Sequence, residues 1–93
     1  RAALHRLGRS TFLTTGDKES HAWIFRTGAT ARDCAGVIHS DLQRGFIRAE
    51  VIGWRELLDC GSWAKAKEAG KLRVEGKDYV VIDGEVLEIR FNV

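Results

Sequence analysis

The sequence contains no proline and no methionine, and only two of its 93 residues are cysteines. Without proline no stretch stands out as a linker, and the length fits one domain that buries roughly two thirds of its unfolded surface without a disulfide or a metal. Cys34 and Cys60 could pair, but they lack CxxC spacing and each falls in a predicted helix. We therefore expect two reduced, buried thiols.

Long apolar runs and a strong charge imbalance are also missing. No run approaches the length of a membrane span, and no basic start precedes an apolar core and a cleavage site, so we expect a cytoplasmic protein. The net charge of +2 and the pI near 8.8 do not by themselves predict nucleic-acid binding. Because the chain begins at Arg1 and lacks methionine, we interpret it as a segment of a longer protein.

The most informative stretch begins with a helix. From Thr30 to His39, apolar or small residues recur at spacings of three and four, which is typical of a helix with one buried stripe. Thr30 and Asp33 have the form of a capping box, in which a hydroxyl and a carboxylate satisfy backbone N–H groups at the start of the helix. The sequence therefore predicts a capped helix over this range.

A strand follows this helix after a tight bend. Gly45 permits a positive φ where the chain stops turning. In Phe46 to Ile52 the side chains alternate with period two, which predicts a strand with one solvated face. The inward set is Ile47, Ala49 and Val51, and the outward set is Arg48 and Glu50.

The region before the helix has the pattern of a hairpin. Ser10 to Thr15 and Ser20 to Arg26 are rich in β-branched and aromatic residues, with Gly16 and Asp17 as turn formers between them. In the second arm Trp23 and Phe25 share one face, which we assign to the core, whereas the side of Ile24 stays open.

The region after Ile52 alternates short helices with strands. Two helices are predicted, one from Trp54 that ends at Gly61 and one from Trp63 to Ala69 that Ser62 caps. The later strands are Leu72 to Glu75, Tyr79 to Ile82 and Val86 to Val93, the last two joined by a hairpin turn at Asp83 and Gly84.

This order of elements predicts an α+β fold, with a mixed sheet, one main helix on one face and short helices between the later strands. A hairpin, a crossing helix and returning strands are the order of a β-grasp, or ubiquitin-like, fold. We assign residues 10–93 to this domain and residues 1–9 to the end of a linker or helix from a missing upstream domain.

Three motifs resemble one known family. AGVIHSDLQRGFIRAEVI, GSWAKAKEAGKLRVEGKDYVV and DGEVLEIRFNV are together similar to the C-terminal domain of the YchF, or Obg-like ATPase, family. The resemblance covers nearly the whole chain from about Leu7. It implies a TGS-like β-grasp domain that follows a P-loop nucleotide-binding domain, in a ribosome-associated ATPase that can also bind GTP.

The chemistry of nucleotide hydrolysis is missing from this segment. Gly70 and Gly76 are each followed by lysine, but neither fits GxxxxGK[ST], so we expect no catalysis by the segment and no cofactor in it. The resemblance implies that ATP or GTP and Mg²⁺ bind in the missing upstream domain. The histidines show no metal spacing.

His39, Ser40 and Asp41 contain the residue types of a hydrolase triad, but adjacent residues rarely converge on one reacting atom. We expect a structural role, in which the dipole at the helix C-terminus favours a partly charged His39 and Asp41 caps the next turn. A contact of His39 and Asp41 with the nucleotide-binding domain is the functional rival.

The candidate contacts to nucleic acid or a protein partner are basic. The outward face of the predicted sheet carries Arg26, Arg48 and Arg90, with Arg44, Lys71, Arg73 and Lys77 around it. The alternative is a solvated face with cross-strand ion pairs, each contributing about 0.2–1 kcal/mol. Trp54 and Trp63 could stack on bases, but tryptophan beside leucines is more often part of a core.

Two functional hypotheses follow. In the first, the chain is an accessory or regulatory domain that docks on its own P-loop domain and on the ribosome or ribosomal RNA. In the second, it is a purely protein-binding, intramolecular regulatory domain without an RNA contact.

Overall fold

A computed structural model describes residues 8–15 and 20–92 of the chain. The elements in these residues are β1 (Arg9–Thr15), β2 (Ser20–Arg26), α1 (Ala31–Ile38), α2 (Ser40–Arg44), β3 (Phe46–Gly53), α3 (Trp54–Cys60), α4 (Trp63–Glu68), β4 (Arg73–Glu75) and β5 (Glu85–Phe91). The predicted helix end at Ala2 to Leu7, the hairpin turn at Gly16 and Asp17, and Val93 lie outside the described residues.

The described strands form one five-stranded sheet in the order β2-β1-β5-β3-β4. The last strand therefore lies in the middle, parallel to β1 and antiparallel to β3. The hairpin of β1 and β2 pairs without interruption from Arg9–Arg26 to Thr15–Ser20. The predicted α+β class and the β-grasp arrangement are confirmed.

Helix α1 covers one face of the sheet, called here the inner face. Its start is the predicted capping box, because Thr30 Oγ1 accepts the Asp33 N–H at 3.2 Å and Asp33 Oδ2 accepts the Thr30 N–H at 3.2 Å. The core beneath it contains Phe12, Phe25, Ala31, Cys34, Ala49, Val51, Val81 and Leu87. Burial, assisted by the nearby Asp33 and Glu85 carboxylates, raises the pKa of the Cys34 thiol to about 12.

A second, smaller core lies on the opposite, outer face of the sheet. Helices α3 and α4 cover that face at Ile52 and Val86, and Ala66 of α4 is fully buried there. The side chains packed against these three residues are Leu13, Trp54, Leu57, Cys60, Trp63 and Leu72. The two tryptophans therefore belong to a core, as expected, and Cys60 is half-buried rather than buried.

The expected strand from Tyr79 to Ile82 and its hairpin turn are wrong. The segment makes only an isolated bridge between Thr30 and Val80, and its backbone bonds go to the start of α1. The Ala31 N–H donates to the Tyr79 carbonyl at 2.8 Å, and the Val81 N–H donates to the Ala29 carbonyl at 3.1 Å. Because α1 uses these groups, they are not available for a ladder with β5.

The start of β3 also differs from expectation. The register between β3 and β5 shifts between Phe46 and Arg48, so Ile47 is the extra residue of a bulge and is 54% exposed instead of inward. The bulge turns Phe46 toward the inner core. Gly45 ends the short helix α2 with a φ of −96° and does not use the positive φ that glycine permits.

Candidate functional site: the charged faces of the sheet

The seven basic candidates divide into two groups. Asp41 pairs with Arg44 at 2.6 Å, and other carboxylates of the chain hold Arg73 and Arg90. In the described part of the chain, the remaining four form no ion pair, and these are Arg26, Arg48, Lys71 and Lys77. Only the second group has its charge fully available to a partner.

Like charges face each other on the outer face. Arg48 of β3 lies opposite Arg90 of β5, and Glu50 lies opposite Glu88 two residues further along the same strands. Arg90 Nη2 donates to Glu50 Oε1 at 3.2 Å and lies 3.0 Å from Glu88 Oε1. The cross-strand ion pairs of the solvated-face alternative therefore exist at Arg90, whereas Arg48 has no carboxylate partner among the described residues.

The carboxyl pair is electrostatically costly. Burial raises the pKa of the Glu88 carboxyl, Arg90 opposes the rise, and the hydrogen bond and charge of Glu50 add to it. Lys67 of α4 also faces Glu88 and opposes the rise. Two glutamates directly across a ladder repel each other when both are ionised.

The basic candidates do not form one surface. Arg26 lies opposite Arg9 at the start of β1, before the point where Leu13 meets Val86 of β5. Arg90 lies four residues beyond Val86, and therefore at the other end of the sheet. Lys71 precedes β4 and Lys77 follows it, both exposed.

Arg73 lies on the inner face, because it pairs with Val51 in the register of β4. Its guanidinium donates to the Glu85 carboxylate and to the Tyr79 hydroxyl, at 3.3 Å for the latter, and lies 5.5 Å from the centre of the tyrosine ring. It also lies 3.8 Å from Glu75. An arginine engaged in this way has a structural role in the chain itself, and a role in partner contact stays a prediction.

Glu85 is the acceptor at the centre of this cluster and was missed by sequence reasoning. Its buried carboxylate accepts from Arg73, from the Tyr79 hydroxyl at 2.8 Å and from the Ile82 N–H at 2.9 Å. Burial, together with the hydrogen bond to Glu85, raises the pKa of Tyr79, and Arg73 opposes that rise. The strand alternation that puts Leu87 inward also puts Glu85 inward, and that signal could have identified it.

A groove of about 400 Å³ opens beside this cluster. Its walls include Trp54, Ile82 and the backbone of Gly84, and Arg55 lies at its rim with its guanidinium 5.6 Å from the Trp54 ring centre. Acidic side chains line it as well, namely Glu56, Asp83 and Glu85. The groove therefore combines an apolar wall with charges of both signs.

His39 and Asp41 lie at the junction of α1 and α2. His39 Nδ1 accepts the Asp41 N–H at 3.0 Å, so the imidazole is the N-terminal cap of α2. The expectation of a partly charged imidazole stays a prediction. Asp41 is bound to Arg44 at 2.6 Å, and all three side chains are about half exposed or more. Their contact with another domain stays a prediction.

Residues 8–15 and 20–92 contain neither a candidate metal site nor a candidate membrane-spanning helix. No group of three or more histidine, cysteine, aspartate and glutamate side chains there is arranged to hold a metal ion. None of the helices there has the length and apolarity needed to span a membrane.

The sheet order and helix α1 on the inner face define the described part of the chain as a β-grasp domain. The model of the family YchF-GTPase_C, described as a protein of unknown function (DUF933), matches residues 10–92, and the chain belongs to this family. The resemblance of the sequence motifs to YchF is thereby confirmed.

Similar proteins agree with this assignment. The chain is 54% identical over its whole length to a protein of Bacillus subtilis and 47% identical to one of Escherichia coli O157:H7, both named ribosome-binding ATPase YchF. It spans about a quarter of the length of these relatives, 25% and 26% respectively.

Solved structures match as well. The YchF GTPase of Schizosaccharomyces pombe superimposes with a TM-score of 0.87 at 29% identity, over 96% of this chain and 24% of that one. A GTP-binding protein from Pyrococcus horikoshii OT3 shares the fold, with a TM-score of 0.65 at 24% identity over 99% of this chain and 23% of that one.

Proposed function

We propose that this chain is the accessory domain of a longer, cytoplasmic, ribosome-associated P-loop ATPase, and that it contacts ribosomal RNA through the outer face of its sheet. The observation that carries the proposal is the identity of 54% over the whole chain to a protein named ribosome-binding ATPase YchF. ATP or GTP with Mg²⁺ would bind in the nucleotide-binding domain of the parent protein, and the present domain would be of the TGS type.

Arg48 is the residue best suited to the RNA contact. Its side chain is exposed, and it has no carboxylate partner among the described residues. The facing Arg90 is already shared between Glu50 and Glu88, so it offers less charge to a phosphate. A phosphate bound by Arg48 would also relieve the repulsion between the two facing arginines.

The test is co-sedimentation of the parent protein with ribosomes over a series of salt concentrations. Arg48→Glu should weaken pelleting at low salt and lower the slope of log affinity against log salt by about one, because one phosphate contact is lost. Lys65→Glu is the matched control, since Lys65 is an exposed cation on α4 outside the candidate set. Equal pelleting of Arg48→Glu and the unsubstituted protein at every salt concentration would remove the RNA contact from the proposal.

A second candidate function is regulation within the parent protein, without an RNA contact. A cluster of polar side chains at the junction of α1 and α2 favours it, because hydrogen bonds within the chain hold His39, Asp41 and Arg44 in place there. Asp41→Asn should change the ATPase rate of the parent protein without ribosomes if this cluster contacts the nucleotide-binding domain. An unchanged rate would contradict the regulatory function and leave ribosome docking in place.

A further inference from the structure

Strand β2 is an edge strand with its bonding direction fixed by the register. The Thr27 N–H donates to the Gly8 carbonyl at 3.0 Å, so this pair is a hydrogen-bonded pair of the antiparallel ladder. Bonded and non-bonded pairs alternate along such a ladder. Trp23 is therefore bonded to β1, whereas the backbone N–H and C=O groups of Ala22 and Ile24 point away from β1 toward the open edge.

These outward groups have no hydrogen-bond partner among the described residues. In residues 8–15 and 20–92, neither Ala22 nor Ile24 takes part in a backbone bond outside the hairpin. The next outward carbonyl, that of Arg26, accepts the Ala29 N–H at 2.9 Å where the edge ends. The edge therefore presents two donors and two acceptors at the regular spacing of a strand.

Within the part of the chain that the structure describes, the edge also lacks the devices that normally protect one. Natural edge strands are shortened, bulged, interrupted by proline or charged at their centre, because an open edge pairs with other chains. β2 has seven residues in uninterrupted register, the chain contains no proline, and the centre of the strand is Ala22 to Phe25. Ile24 is 57% exposed on the outer face. The backbone of β2 is therefore suited to pairing with an added strand.

Two described arginines lie at one end of this edge. Arg9 and Arg26 lie directly opposite each other, both exposed, and neither has an ion pair within residues 8–15 and 20–92. Among the described residues, Arg9 donates one long hydrogen bond, to the Gly8 carbonyl at 3.4 Å. Facing like charges destabilise a ladder, so a carboxylate brought between them would be attracted.

We propose that the open edge of β2 binds an extended, acidic segment of a partner protein, which adds a sixth strand to the sheet. An apolar side chain of that segment would cover Ile24, and a carboxylate would lie between Arg9 and Arg26. A second copy of this chain is less suitable, because β2 reads SHAWIFR and supplies no carboxylate. An RNA phosphate would satisfy the two arginines but would leave the regular backbone groups of Ala22 and Ile24 unused.

The test uses the full chain and a capped eight-residue peptide of alternating valine and glutamate, followed by amide hydrogen exchange measured by NMR. The Ala22 and Ile24 amides should exchange fast in the free chain and slow at least tenfold when the peptide is saturating. The Trp23 amide should be protected in both states, because β1 already accepts its hydrogen. Only the addition of a strand predicts this alternation.

Two substitutions sharpen the test. Ala22→Pro removes an outward N–H without removing a bond to β1, so it should weaken peptide binding at least tenfold while the circular dichroism spectrum is kept. Arg26→Glu should weaken binding of the valine–glutamate peptide and strengthen binding of a valine–lysine peptide. Lys71→Glu makes the same charge change beside β4, at the opposite edge, and should change neither affinity. If Ala22→Pro fails to fold, Arg26→Glu alone decides.

Three results would overturn the proposal. The first is the absence of slowed exchange at Ala22 and Ile24 at peptide concentrations up to the millimolar range. The second is protection of these amides that rises with the concentration of the chain alone, which would assign the edge to a second copy. The third is an oligouridylate that binds through Arg26 while the peptide does not, which would assign the arginines to RNA.

Discussion

Glu85 is a buried acidic residue whose carboxylate is surrounded by hydrogen-bond donors. Its carboxylate is buried, yet Arg73, Tyr79 and the Ile82 N–H all donate to it, so the cost of its desolvation is offset by charge-assisted bonds. The cluster also joins β4, the segment before β5 and β5 itself. The Glu85 side chain therefore links β4 to the segment that leads into β5.

Glu85→Gln should lower the free energy of unfolding by about 1.5–3 kcal/mol, because an amide cannot accept from all three donors and loses the charge that faces Arg73. Urea unfolding measures this change. Glu75→Gln is the matched control: Glu75 lies 3.8 Å from the same guanidinium but is more exposed, so its loss should cost less than about 0.5 kcal/mol. Equal costs for the two substitutions would contradict a central role of Glu85.

Glu88 predicts a dependence of stability on pH. Because its pKa is raised in the folded state, its contribution is fully present below the unfolded pKa and is lost as the pH rises through the folded pKa. Glu88→Gln lacks that loss, so it should be more stable than the unsubstituted chain at pH 7 and no more stable at about pH 4. The side chain is 39% exposed, so the gain should stay below about 0.5 kcal/mol.

Thermal unfolding between pH 4 and pH 8 measures this effect. Glu68→Gln on the exposed side of α4 removes the same charge from the chain and should show no such trend. A stability deficit of Glu88→Gln that grows with pH would contradict the assignment, because it would mean that ionised Glu88 stabilises the fold through Arg90.

At the scale of elements, helix α2 has only five residues and depends on its ends. Its first bonds come from His39, whose Nδ1 accepts the Asp41 N–H at 3.0 Å, and Asp41 in turn holds Arg44. A helix this short is not stable by propensity, so its cap decides whether it forms. Its position matters because the junction with α1 carries the predicted interdomain contact.

His39→Ala should therefore destabilise α2, at a cost of about 0.5–2 kcal/mol, whereas His39→Asn should keep the cap with its own side-chain oxygen. Hydrogen exchange at the amides of Leu42 to Gly45 measures the local effect. Faster exchange in the alanine variant and near-normal exchange in the asparagine variant is the expected pattern. Equal exchange in both variants would show that packing rather than the cap holds this turn.

The elements that could be predicted from the sequence are those whose signal is local. The capping box of Thr30 and Asp33, the alternation of β1 and β2, and the cap at Ser62 each depend on residues within one turn or one strand. The segment of Tyr79 to Ile82 could not be predicted, because its alternation is that of a strand while its backbone partners belong to α1. The bulge at Ile47 depends on the register with β5, which no local pattern records.

The candidate site was predictable to the same degree. The alternation of β3 identified Arg48 as outward, and it is. The sequence alone does not show that Arg90 forms ion pairs with two carboxylates or that Arg73 lies on the inner face. Both facts depend on which strands are neighbours in the sheet. The open edge of β2 likewise exists only in the strand order.

At the scale of the whole molecule, the two cores share the same strands. Val51 belongs to the inner core and the adjacent Ile52 to the outer core, and Leu87 and Val86 divide in the same way. Strands β3 and β5 therefore contribute side chains to both cores. Unfolding of one core should disrupt the pairing of these strands, on which the other core depends. A chain of this size with such coupling should unfold as one unit.

This coupling is tested with tryptophan as a local reporter. Trp23 packs against the inner core, whereas Trp54 and Trp63 pack against the outer core, and the chain has three tryptophans in all. Trp23→Phe leaves a reporter of the outer core, and the double variant Trp54→Phe, Trp63→Phe leaves a reporter of the inner core. In each variant, the urea midpoint by fluorescence should equal the midpoint by circular dichroism, because α3 and α4 are anchored by the strands that carry α1. A fluorescence transition of Trp54 and Trp63 that precedes the loss of the sheet would show that the outer helices detach on their own.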